Sequence, residues 1–195
     1  MWLLYRIHQA LLQYLTTPIN KIKIYLSGGS YGIKFHTRGL MLVRNYTGRG
    51  GIQIGDNVNI NSCCASNTVG GVKTIVYTHS SAQIIIGSDV GISNAIICAK
   101  AGITIEDGVT IGAGVSLLDS DFHPLDAQSR HNGNVGTISK PIVIKKNAFI
   151  GANVTILKGV TVGEESVVGA CSVVSKDIPP REIWAGNPAK FIRRI

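Results

Sequence analysis

Among the five histidines of this 195-residue chain, His123 has the setting best suited to moving a proton. An imidazole titrates near neutrality, so it can take a hydroxyl proton and hand it on within one turnover. Asp119 and Asp121 precede it, alternating with Ser120 and Phe122. In a strand both carboxylates would lie on one face, with His123 on the same side. Either can orient the imidazole through its second nitrogen or bind substrate hydroxyls, and both equally suit solvated corners. His123 also stands where a polar stretch begins, about 121 to 141, containing Pro124, Asp126, Arg130, His131, Asn132 and Gly133. Loops of that length in compact domains are usually functional or disordered.

The elements that must hold this histidine announce themselves through a period of six. Aliphatic residues fall at Ile144, Ile150, Ile156, Val162, Val168 and Val174 without a break. Four places after them come small or β-branched residues, Ala148, Val154, Val160, Ser166 and Ser172. Three places after them sit Asn147, Asn153, Gly159, Glu165 and Cys171. Shorter blocks carry the same frame at Ile54 and Ile60, at Ile86 and Ile92, and at Ile105, Ile111 and Leu117. The register shifts between blocks, which places insertions at about 66 to 83, 99 to 104 and 121 to 141. Six is neither a helical period nor a simple strand alternation. It suits short strands joined by tight corners, where Gly and Asn tolerate the left-handed backbone region. Stacked coils would then pair their strands in parallel and align inward Ile and Val into ladders.

Composition narrows the partners. Apolar residues make up 45% of the chain and charged residues 15%, as expected of a folded, turn-rich protein. Nineteen Lys and Arg against eleven Asp and Glu give +8, a field that attracts anions such as nucleotide phosphates, acidic sugars or an anionic membrane face. No nucleic-acid-binding motif accompanies that charge, so nucleic acid is not an expected partner. Cys63, Cys64, Cys98 and Cys171 fit neither a disulfide framework nor a zinc knuckle and read as free thiols of a reducing cytoplasm.

Ile54-Gly55-Asp56-Asn57-Val58, Ile150-Gly151-Ala152-Asn153-Val154 and the run from Val162 to Ala170 resemble the hexapeptide-repeat acyltransferases. Asp119-Ser120-Asp121-Phe122-His123-Pro124, Ser175-Lys176-Asp177-Ile178-Pro179-Pro180 and Ala185-Gly186-Asn187-Pro188-Ala189-Lys190 resemble the sugar O-acetyltransferases of that family. The resemblance covers about positions 50 to 195. It implies an all-β fold, a left-handed parallel β-helix, with a protruding loop near 121–141 and a C-terminal cap. A helical appendage is expected over 1–25 and the β-helix with its cap over 26–195.

The resemblance also implies an acetyl-CoA-dependent O-acetyltransferase acting on a sugar hydroxyl, in surface polysaccharide or glycolipid synthesis, with His123 as general base and no metal. Asn94 resembles the residue that holds the acceptor, although an Asn at a corner needs no such role. CoA would lie along late coils, at Phe149, Gly151 and Ala152 and then Gly169, Ala170, Ser175 and Lys176. Lys176, Lys190, Arg193 and Arg194 are candidates for its phosphates. The family's loop reaches toward a neighbouring subunit, which implies a homotrimer with active sites between subunits. Residues 1 to 50 lack the acidic helical segment of the maltose and galactoside enzymes, and Arg130-His131-Asn132-Gly133 is followed by Asn134 where some members have Glu.

Other readings use the same prism: an N-acetyltransferase on an amino sugar, a noncatalytic scaffold, or a metal-dependent hydratase. His79, His123 and His131 are too irregularly spaced for the closely paired histidines of the hydratases. Residues 2 to 15 read as a helix apolar around much of its girth. It would pack on the first coil or on a trimer neighbour, or lie at a membrane interface helped by Arg6, Lys21 and Lys23. The chain is expected in the cytoplasm, peripheral at the inner membrane face in the second case.

Overall fold

A computed structural model describes residues 1–63, 72–79, 81–133 and 136–195; Cys64 and Asn134 lie outside them. The chain opens with a helix, α1 (Trp2–Leu26), which continues beyond the apolar 2–15 stretch and through Pro18. Its second half is anchored: Asn20 donates from Nδ2 to Thr37 Oγ1 and to the Gly39 carbonyl, and the Met41 amide donates back to Asn20 Oδ1. Thr16 and Thr17 both donate to the Thr37 carbonyl. These bonds, with buried Ile24, seat the helix on the first coil.

Six coils follow. The first is β1 (Ser30–Tyr31), β2 (His36–Arg38) and β3 (Leu42–Asn45), and the second is β4 (Ile52–Ile54), β5 (Asn59–Asn61) and β6 (Ile75–Thr78). The third is β7 (Ile84–Ile86), β8 (Gly91–Ser93) and β9 (Ile96–Ala99), and the fourth is β10 (Ile103–Ile105), β11 (Thr110–Ile111) and β12 (Ser116–Leu118). After a loop carrying α2 (Ala127–His131) come β13 (Ile142–Ile144), β14 (Phe149–Ile150) and β15 (Thr155–Leu157), then β16 (Thr161–Val162), β17 (Val167–Val168) and β18 (Val173–Val174). Every third strand pairs in parallel with the strand one coil away, so the chain builds three sheets, the faces of a triangular prism. Face one carries β1, β4, β7, β10, β13 and β16; face two starts from β2 and face three from β3.

The ladders run in register. On face one Ile54, Ile86, Ile105, Ile144 and Val162 align, and on face three Val76, Ile97, Leu117, Ile156 and Val174. Each such side chain contributes about 1.5–3 kcal/mol by leaving water, and parallel pairing leaves each coil's strand edges covered by the next. All five corner positions of the late coils, 147, 153, 159, 165 and 171, have φ between 57° and 80°. The corners form even at Glu165 and Cys171, where the side chain does not favour that backbone.

The ladders refine the insertions expected from the register shifts. Strand β6 (75–78) divides the stretch expected at about 66 to 83, so the extra residues lie before it, from 62 to 74, and after it, from 79 to 83. The insertion expected at about 99 to 104 is an enlarged corner, Lys100 to Gly102, across which the ladder residues Ile97 and Ile105 are eight apart instead of six. At the preceding corner the ladder residues Ile92 and Ile97 are five apart, with Asn94 at φ 47°. At the far end Ile178 bridges Val162, β19 (Glu182–Gly186) adds to face two, and β20 (Ala189–Arg194) folds back on it antiparallel.

Candidate active site

The loop between β12 and β13 leaves the prism at the edge joining face three to face one. Its base is a short antiparallel ladder: Ser120 bridges Ser139, the Asp121 amide donates to the Ile138 carbonyl, and the Lys140 amide to the Asp119 carbonyl. The strand expected through 119–123 ends at Leu118, and Phe122 has φ 60°. That turn breaks the alternation which would have set the two carboxylates and His123 on one side.

The three residues therefore occupy different environments. Asp119 is wholly buried, and its carboxylate accepts the backbone amides of Lys100, Ala101 and Gly102, each at 2.7 Å. It closes the corner between the third and fourth coils. Asp121 forms a half-buried ion pair with Lys158 of the fifth coil, which ties the loop's base to the prism. His123 is exposed; its amide donates to the Asp121 carbonyl at 2.7 Å, and Pro124 behind it is buried.

Farther out the loop braces itself. Asp126 caps α2 by accepting from the Ser129 amide and hydroxyl, and these bonds hold its carboxyl below the ordinary 3.8. Arg130 donates back to the Pro124 and Leu125 carbonyls. Lys100 stands 5.2 Å from the centre of the Phe122 ring. Lys100 and Lys158 were not singled out in the sequence, because each comes from a separate coil and is brought to the loop only by stacking.

Near the same edge, burial pushes the Cys98 thiol up, with the Asp119 charge adding and Lys100 opposing. It is therefore poorly suited to act as a thiolate nucleophile at neutral pH.

Gly151, Ala152, Gly169 and Ala170 gather on another edge, between faces two and three, on adjoining coils. A Cβ on Gly151 would meet the Ala170 nitrogen and Val168 oxygen at 2.7 Å, and one on Gly169 would meet the Ala185 Cβ at 2.8 Å. Coil stacking alone thus requires both glycines. Phe149 points outward from face two nearby and is half exposed. Asn94 is on the same edge, buried, with Nδ2 donating to the Val72 carbonyl at 2.6 Å. The bond braces Val72, shortly before β6. Ser175 and Lys176 are exposed on the His123 edge, and Lys190 and Arg193 are exposed on β20. Face three separates the His123 loop from the glycine column. Among the described residues, no cluster of three His, Cys, Asp or Glu side chains could hold a metal ion.

Comparisons with known proteins agree with this architecture. Residues 141–176 match the family described as bacterial transferase hexapeptide (six repeats), and residues 83–119 match the hexapeptide repeat of succinyl-transferase. The chain is 43% identical over 102 residues to the galactoside O-acetyltransferase of Escherichia coli, covering 52% of this chain and 49% of that one. It thus spans about half the length of the curated relatives it matches. The crystal structure of a hexapeptide-repeat-containing acetyltransferase of Vibrio cholerae, complexed with acetyl-CoA, superposes with a TM-score of 0.56 at 27% identity, over 97% of this chain and 84% of that one. An N-acyltransferase of Bacillus cereus, in complex with dTDP-4-amino-4,6-dideoxyglucose and coenzyme A, shares the fold with a TM-score of 0.69 at 21% identity, covering 89% and 88% of the two chains. The repeats, the three-faced parallel β-helix and these likenesses agree: the chain carries hexapeptide repeats and is similar in sequence and in fold to hexapeptide-repeat acetyltransferases.

Proposed function

We propose that the protein is an acetyl-CoA-dependent O-acetyltransferase acting on a sugar hydroxyl, with His123 as general base. The observation that carries this reading is the position of His123: exposed, at the root of a loop whose base is fixed by Asp119 and by the Asp121–Lys158 pair. The imidazole takes the acceptor's hydroxyl proton as that oxygen attacks the thioester carbonyl. The tetrahedral oxyanion collapses to an ester and expels CoA as a thiolate, which receives the proton from the imidazolium. No protein nucleophile is needed.

The acetyl donor runs along the small-residue column of Phe149, Gly151, Ala152, Gly169 and Ala170, with Lys190 and Arg193 of the same chain toward its phosphates and Ser175 and Lys176 arriving with the His123 edge that faces it. The column and His123 lie on different edges of one prism, so a single site that uses both takes its histidine from one protomer and its column from the next. A homotrimer meets that requirement. Among the outward side chains of face three, Ile96, Cys98, Leu118, Leu157 and Val173 are apolar and half-buried, interleaved with Ser116 and Thr155, as suits a face next to a neighbour. On this reading Asp121 places the loop and Asp119 holds the coil beneath it.

The experiment is His123→Ala, with release of CoA thiol measured against neutral sugars and amino sugars. Loss of turnover with hydroxyl acceptors supports the assignment. Unchanged turnover removes His123 from the chemistry, and acetylation confined to amino sugars replaces O-transfer by N-transfer.

A further inference from the structure

We infer that the outward side of α1 docks the protein on an anionic lipid bilayer. The helix is amphipathic in the reverse of the usual sense. The side packed on the prism is largely polar, with Thr16, Thr17 and Asn20 bonded to the first coil. The opposite side carries Leu4, Ile7, Leu11, Leu15, Pro18, Ile22 and Tyr25, recurring every three or four residues, which keeps them on one stripe. Leu4, Leu11, Leu15, Ile22 and Tyr25 are each more than half exposed, from 53% to 73%. A polar inner side and an apolar outer side fit a helix lying in a membrane interface beneath a folded body. No described helix is long and apolar enough to cross a membrane, so the contact is parallel to the surface.

Charge selects the occupant. Residues 1–55 contain seven Lys and Arg and no Asp or Glu, whereas the remaining 140 residues carry twelve and eleven. Nearly all of the net charge thus belongs to α1, the first coil and the turn that follows. Arg6, Lys34, Arg44 and Arg49 are exposed there, and Lys21 and Lys23 flank the apolar stripe on its two sides. Pairing this end with a second copy would set like charges together with no carboxylate to neutralise them. An anionic bilayer supplies both the countercharge and an apolar layer, and each cation near such a surface strengthens binding about fivefold. This inference does not depend on the acyl-transfer reading.

Co-sedimentation of the full chain with vesicles of phosphatidylcholine, and of phosphatidylcholine mixed with phosphatidylglycerol, tests it. Binding is expected only to the anionic vesicles and should weaken as salt is raised. Leu11→Glu/Ile22→Glu removes it with an unchanged circular dichroism spectrum, since both side chains face away from the prism. Arg6→Gln and Arg49→Gln each weaken it about fivefold. No binding to anionic vesicles overturns the proposal, as does equal binding by the double-Glu variant. Larger assemblies that the double-Glu variant disperses, without vesicle binding, overturn it in favour of helix pairing between copies.

Discussion

The carboxylate of Asp119 accepts the backbone amide of Gly102 at 2.7 Å, binding the start of the His123 loop to the corner that begins its own coil. The same carboxylate takes the Lys100 and Ala101 amides and is wholly buried. Asp119→Ala leaves three partly buried amides without their acceptor. Water can reach them in part, so denaturant unfolding should show a loss of about 1–3 kcal/mol in all, the range for losing bonds to a charged acceptor. Asp119→Asn, which keeps the shape and one acceptor oxygen, should lose less. A stability change below about 1 kcal/mol for the Ala variant would refute the structural role assigned here.

Gly151 and Gly91 separate close packing from mere glycine content. A Cβ at Gly151 would lie 2.7 Å from backbone atoms of Ala170 and Val168, whereas one at Gly91 meets nothing within 4 Å. Gly151→Ala should therefore cost about 1–3 kcal/mol through overpacking, and Gly91→Ala should be neutral or stabilising by a few tenths. Thermal unfolding of the two variants, made in parallel, checks the contrast. Equal shifts would mean that the coils separate to admit a methyl group.

The same contrast shows what sequence could and could not specify. The six-residue period located inward aliphatics such as Ile150 and Val168 and the corners at Asn147 and Asn153, because those constraints repeat with the coil and act locally. Glu165 and Cys171 were legible as corners only through register, their own preferences pointing elsewhere. The Asp119-to-Gly102 closure was not legible. It joins residues seventeen apart through a stacking geometry that no local pattern encodes. Asp121–Lys158 was hidden for the same reason at a separation of thirty-seven. The seating of α1 was hidden likewise: the bonds from Thr17 and Asn20 that hold it through Pro18 to Leu26 reach Thr37 and Gly39, about twenty residues away, which no local pattern reveals.

Asp126 gives the loop a pH dependence of known sign. The Ser129 amide, then the Ser129 hydroxyl, holds its carboxyl below the ordinary 3.8. Because the folded value is depressed, the ionised cap favours α2 above the unfolded value, and that contribution is lost as pH falls through the folded one. The side chain is fully exposed, so the effect is local and should diminish with salt. The Ser129 amide resonance should titrate with a midpoint below 3.8 in the native protein and not at all in Asp126→Asn. A midpoint at or above 3.8 would contradict the cap.

If His123 and the small-residue column meet across a subunit boundary, two inactive chains can make an active enzyme. His123→Ala removes the base. Ala170→Trp obstructs the column at an exposed position, where bulk does not disturb the prism. In trimers formed at random from equal amounts of the two variants, a site is intact when its histidine comes from an Ala170→Trp chain and its column from a His123→Ala chain. That combination occurs at about a quarter of the boundaries. Co-expressed variants should therefore recover about a quarter of native turnover while each homotrimer has almost none. Failure to recover activity in mixed trimers, shown to be mixed by differential tagging, would place the base and the column in one protomer. It would then require the loop to fold across face three instead of toward a neighbour.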